Sequence, residues 1–147
     1  MLLYMKTRIL ILLAVLAILT GAVMMHAQQS APKHRVVFQM NMPSDSWTQL
    51  LGNVGNVQKA FGAEGLQIEI VFYGKGVTAL LKTNKEYEER LKKLSEQGVI
   101  LGACQNSMRQ RNITSADIFP FSTEVDSGVA ELVRKQEAGW TYIRAGE

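Results

Sequence analysis

Cysteine occurs once in the 147 residues, at position 104, and histidine only twice, at positions 26 and 34. One cysteine closes no internal disulfide and forms no C-x-x-C pair, which excludes a self-contained disulfide oxidoreductase. So few thiols and imidazoles provide no ligand cluster for zinc in its usual spacing. They also leave a cysteine or serine nucleophile without an evident imidazole base. Zinc enzymes and histidine-assisted hydrolases are therefore not expected, and neither a metal nor a cofactor is called for. Aromatic residues make up 7% of the chain and no basic stripe runs between them, so nucleic acid is not an expected partner. No segment is repeated or of low complexity.

What the chain does have at its start is a long apolar run. Lys6 and Arg8 precede Ile9 to Met25, interrupted only by Thr20 and Gly21, and the polar Gln28, Gln29 and Ser30 follow. A basic segment, an apolar stretch and a polar boundary form the layout of a secretory signal. Residues 1–27 are read as that signal, with cleavage expected after Ala27 and cuts after Ala22 or Ala31 as alternatives. Left uncleaved, the run approaches the roughly 20 apolar residues that span a bilayer and would act as an anchor; only then would the membrane be a partner. Either way the remaining domain, residues 34–147, is expected to be exported and periplasmic. Removal of residues 1–27 leaves 120, enough for one domain with one core. It takes away two basic residues and no acidic ones, so 16 against 13 becomes 14 against 13, a net charge of +1.

Beyond position 34, short apolar runs alternate with helical patterns, which points to parallel strands joined by crossover helices. The first strand is read at Val36–Met40 and the second at Leu66–Phe72. A short helical piece, Val77–Leu81, follows the second. The third strand, Val99–Ala103, is wholly apolar, as a strand buried on both faces should be. A fourth is expected near Phe121–Val125 and a fifth at Trp140–Ile143. Two capping boxes are predicted, Ser46 with Gln49 and Thr83 with Glu86. Leu50, Leu51, Val54, Val57 and Phe61 share one helical face, as do Tyr87, Leu91 and Leu94. Glu88–Lys92 and Glu89–Lys93 have the spacing of exposed ion pairs. Gly52 and Gly55 weaken the first helix by about 1 kcal/mol each against alanine, so close packing against another helix or subunit is expected there.

Cys104 ends the third strand, and ligands of open parallel sheets bind beyond the carboxyl ends of strands. The polar segment after it should begin a helical turn, whose free amides would favour a thiolate. Asn106 and Ser107 could add hydrogen bonds, and Arg109 or Arg111 positive charge. Equally, a lone cysteine can be a small inert core residue. Gly74-Lys75-Gly76-Val77-Thr78-Ala79 fits the dinucleotide fingerprint G-x-G-x-x-A in form. The helix after it is too short, and no acidic residue ends the next strand to bind a ribose, so it reads as a tight turn. Asn53, on the first helix, is a candidate polar contact for a ligand.

At Cys104 a family pattern emerges. Ala103-Cys104-Gln105-Asn106-Ser107-Met108 resembles the C-x-N-[ST]-M segment of DsrE/DsrF-like proteins. Gly74-x-Gly76-Val77 with Leu80-Leu81, Val125-x-Ser127-Gly128-Val129, and Gln136-x-x-Gly139-Trp140-x-Tyr142-Ile143 are similar to further segments of that family, in the same order. The resemblance spans about residues 34–144. It implies a three-layer α/β/α domain on a five-stranded, mainly parallel sheet, assembled as homo- or hetero-oligomers such as trimers or hexamers. In sulfur-handling members the equivalent cysteine carries a persulfide to a partner. That role maps onto Cys104, with Asn106, Ser107, Met108, Gly74 and Gly76 around its pocket. Tyr73 departs from the family, standing where many relatives have histidine.

The leading expectation is thus a periplasmic sulfur carrier, sulfurtransferase-like, that exchanges sulfur with donor and acceptor protein thiols. The alternatives are a non-catalytic oligomeric module binding a small ligand, and a redox-sensing thiol.

Overall fold

In the computed structural model, residues 34–43, 46–62 and 65–144 are described, and they fall within one compact unit, Pro32–Glu147. The predicted export signal lies outside the described residues. No helix among the described residues is long and apolar enough to cross a membrane.

Among the described residues, five strands are joined by four α-helices and one 3-10 helix: β1 His34–Met40, α1 Trp47–Phe61, β2 Leu66–Phe72, a 3-10 helix Gly74–Leu80, α2 Lys85–Glu96, β3 Ile100–Cys104, α3 Gln105–Gln110, β4 Thr123–Val125, α4 Gly128–Glu137 and β5 Thr141–Arg144. All neighbouring strands pair in parallel, in the order β4-β3-β2-β1-β5. The expected mainly parallel sheet is therefore wholly parallel. Central β2 is buried from Ile68 to Phe72, which is why its sequence is a continuous apolar run except for Glu69.

The connections from β1 through β4 step in one direction across the sheet, and the last one returns to the far edge. Right-handed crossovers then place α1, α2 and α3 on one face and α4 on the other. Alternation along the strands sorts the core in the same way. Val36, Phe38, Ile68, Ile70, Phe72 and Leu101 join Leu50, Val54, Leu91 and Met108 in the large cluster. Val37, Val71 and Leu132, flanked by Tyr73 and Trp140, form the small cluster beneath α4.

Several local readings are corrected. Ser46 and Asn84 stand at the N-caps of α1 and α2, and neither makes a side-chain capping bond. Asn84 Nδ2 instead donates to the carbonyl of Ala79, 3.1 Å away. The outer face of α2 pairs Lys85 with Glu88 and Lys92 with Glu96 rather than in the predicted combinations. A Cβ on Gly52 or Gly55 would have open space around it, so no other helix among the described residues compensates for them.

Candidate functional site

β3 and β4 are neighbours, yet the helices leaving their carboxyl ends depart to opposite faces. α3 packs Met108 into the large cluster, and α4 packs Leu132 into the small one. A crevice opens where connections diverge in this way, and that is where open parallel sheets place their ligands. Cys104 is the last residue of β3 and the N-cap of α3, so it stands at the point where these connections diverge.

The sulfur is ringed by donors. The amide of Ser107 lies 3.4 Å from Sγ and the amide of Gly128, the first residue of α4, lies 3.1 Å from it. The amide of Asn106 and the hydroxyl of Ser107 act on it as well. Burial is the largest single influence and pushes the thiol pKa up. The Ser107 hydroxyl and the amides of Ser107, Gly128 and Asn106 together outweigh it, so the pKa falls below its ordinary value. Ser107 can donate its hydroxyl proton because its oxygen already accepts from the amide of Gly74 at 2.7 Å. A chain of hydrogen bonds thus runs from the glycine turn through Ser107 to sulfur.

The arginines contribute differently from the sequence expectation. Arg109 is directed to Asn106 Oδ1 and Arg111 Nε to the carbonyl of Gly74, 2.8 Å away. The thiolate is favoured by hydrogen bonds, while the arginines brace the loops that supply them.

The remaining predicted residues separate into three groups. Gly74, with a positive φ of 53°, and Ser107 touch the site directly, and Asn106 contributes its amide while its side chain is exposed. Gly76 acts one step away: a Cβ there would overlap the carbonyl oxygen of Met40, so glycine lets the turn lie against the end of β1. Met108 is 3% exposed within the large cluster and supports α3 from below. Asn53 is not brought to the site. Its helix, α1, packs on the sheet face opposite Cys104.

The thiol itself is nearly covered. Cys104 is only 3% exposed. Val125 pairs with it across β4, and Phe72 pairs with Ala103. Tyr73 therefore lies beside Cys104 on the same sheet face. Gly128 closes the remaining side, and a Cβ on Gly128 would come within 2.7 Å of Tyr73 Cβ. Neither Tyr73 nor Gly128 was singled out from sequence as a site residue. The Ser127-Gly128-Val129 segment was the available signal, because Ser127 Oγ caps the amide of Ala130 and so fixes where α4 begins.

Over residues 21–145 the chain matches the DsrE/DsrF-like family. The chain belongs to the DsrE/DsrF-like family. Among solved structures, MTH1491 of Methanobacterium thermoautotrophicum, a protein of unknown function, is 34% identical with a TM-score of 0.71, over 76% of this chain and 99% of that one. The ychN protein of E. coli shares 18% identity and a TM-score of 0.63, over 76% and 98% of the two chains, which shows a common fold. No curated protein matches. This DsrE-like domain has, among its described residues, no group of three or more His, Cys, Asp or Glu side chains placed to hold a metal ion.

Proposed function

We propose that this DsrE-like protein is an exported sulfur carrier, sulfurtransferase-like, in which Cys104 holds sulfane sulfur as a persulfide between a donor and an acceptor thiol. One observation carries the reading: a lone thiol at the carboxyl end of β3 whose sulfur accepts hydrogen bonds from the amides of Ser107 and Gly128. Thiolate is the nucleophilic form of cysteine, and these donors favour it. Family membership supports a role in sulfur relay. The basic-then-apolar start of the sequence supports export.

The step is balanced without an external oxidant. Cys104 thiolate attacks the outer sulfur of a donor persulfide, a new S–S bond forms at Sγ, and the donor's own S–S bond breaks to release a thiolate. An acceptor thiolate then attacks the outer sulfur and releases Cys104. Incubation with a persulfide donor should add the mass of one sulfur atom, removable by reductant and absent in Cys104→Ser. A folded protein that stays unmodified under these conditions sinks the proposal.

The 3% exposure of Cys104 favours a second reading, a binding module with no chemistry at sulfur. In that case Cys104→Ala should retain ligand affinity and assembly.

A further inference from the structure

Cys104 is enclosed from several directions at once. Tyr73 stands beside it just past the end of β2, Val125 beside it on β4, and Gly128 above it at the start of α4. Beyond the strand end lies the turn at Gly74, tied down by Ser107 and Arg111. Of these neighbours, Gly128 and the Gly74 turn are held by hydrogen bonds to Cys104, Ser107 or Arg111, and Val125 is held by strand pairing. Tyr73 is the half-buried member whose side chain is large enough to decide how much of the sulfur a reagent can reach. Its ring carbons Cγ and Cδ1 lie 3.0 and 3.2 Å from the place a Cβ on Gly128 would occupy. Glycine at 128 therefore lets the tyrosine sit against the same residue whose amide holds Sγ. The two are electrically coupled as well. Burial, then the nearby Tyr142, and also Cys104 push the Tyr73 phenol pKa up, while Arg144 draws it down.

We infer that Tyr73 sets the substrate class of the sulfur site: its ring admits to Cys104 a terminal sulfur, as in a hydropersulfide or polysulfide, and turns away the substituted sulfur of a disulfide. This inference rests on the carrier reading and narrows it. In-line attack needs the entering sulfur, the attacked sulfur and the leaving sulfur nearly collinear. A terminal sulfur carries only a proton or a charge besides its S–S bond, so it can reach a nearly covered Sγ. Each sulfur of a disulfide carries an organic group that would have to occupy the place of the Tyr73 ring. Cys104 attack on a terminal sulfur transfers that sulfur with its proton and releases the rest of the donor as thiolate or shortened polysulfide. Attack on a disulfide would instead leave a mixed disulfide on Cys104 and block it. Exclusion of disulfides keeps an unpaired thiol available in an oxidising compartment, where such thiols otherwise pair between chains.

The test compares two rates on the wild type, Tyr73→Phe and Tyr73→Ala, followed by intact mass: loading by inorganic polysulfide, and mixed-disulfide formation with glutathione disulfide. The wild type and Tyr73→Phe should share a high polysulfide-to-disulfide ratio, because the ring is what excludes. Tyr73→Ala should lower that ratio by about tenfold or more, mainly by raising the disulfide rate, since access helps govern exchange. An unchanged ratio in Tyr73→Ala, or a loss of selectivity in Tyr73→Phe as large as in Tyr73→Ala, overturns the role given to the ring while leaving the carrier reading intact. A wild type that polysulfide does not load at all overturns both.

Discussion

The two faces of the sheet are built on different principles. On one, α1, α2 and α3 cover an almost entirely apolar layer in which Phe38, Leu50, Val54 and Ile70 have no exposed surface. On the other, among the described residues, α4 covers Val37 and Val71 together with a carboxylate, a thiol and a phenol. Glu69 is 1% exposed there, with Lys135 Nζ 2.5 Å from its Oε2. Gly102 leaves the space that Glu69 fills, since a Cβ at 102 would lie 3.1 Å from Oε1. Burial pushes the Glu69 pKa up, and Lys135 opposes the shift without cancelling it. The apolar face supplies the hydrophobic stabilisation that holds the strands in register. The α4 face accepts the cost of buried polar groups and in return holds a sulfur among donors. The difference teaches that stability and candidate chemistry are separated by the thickness of one sheet.

Breaking the apolar face should give the largest effect. Phe38→Ala should cost about 3–5 kcal/mol of stability, the usual range for emptying a core phenylalanine site. In denaturant titration the midpoint should fall, while the Cys104 thiol pKa in the folded protein stays put. A thiol shift as large as that from a change at Ser107 would contradict the separation of the faces.

Lys135→Met comes next. It leaves Glu69 buried without its cation, which should cost about 3 kcal/mol near neutral pH. The sign of the pH dependence follows from the raised Glu69 pKa. Between the ordinary value of 4.5 and the raised one, the folded state binds more protons than the unfolded state, so stability falls as pH rises through that window. Loss of Lys135 should deepen that fall and should matter least below the window. Denaturant titration of both proteins on either side of it checks this.

Ser107→Ala should have the smallest effect on stability, about 2 kcal/mol for the two hydrogen bonds its hydroxyl makes, read from thermal unfolding. Its effect should appear at the sulfur. Removing the hydroxyl takes away the first of the influences that lower the Cys104 pKa, so the thiol should titrate at higher pH than in the wild type.

Much of the fold is legible along the chain because its signals are local. The short apolar run Ile100 to Ala103 forms a strand, buried from Leu101 on, and Gly98, with φ of 84°, marks where the preceding helix stops. Cys104 at the strand end follows from the same pattern. Helix starts were less legible. A serine or threonine three residues before a glutamine or glutamate is compatible with a capping box, but Ser46 makes no such bond and Asn84 displaces Thr83.

The surroundings of the thiol were the least legible part. Tyr73 and Gly128 are 55 positions apart, and they meet only because the pairing of Phe72 with Ala103 and the crossover into α4 bring them to one point. Asn53 was assigned to the site from residue type alone. The side of the sheet on which its helix packs depends on crossover handedness, which composition does not encode.

The most direct test of the central claim is a pH titration of Cys104 in the folded protein, read as thiolate absorbance against Cys104→Ser. The folded pKa is lowered, so ionisation stabilises the fold most above the ordinary thiol pKa, and that contribution is lost as pH falls through the folded value. A midpoint below the ordinary thiol value of 9.0 is the predicted result. A midpoint at or above it would mean that burial outweighs the amides of Ser107 and Gly128, and would contradict the account.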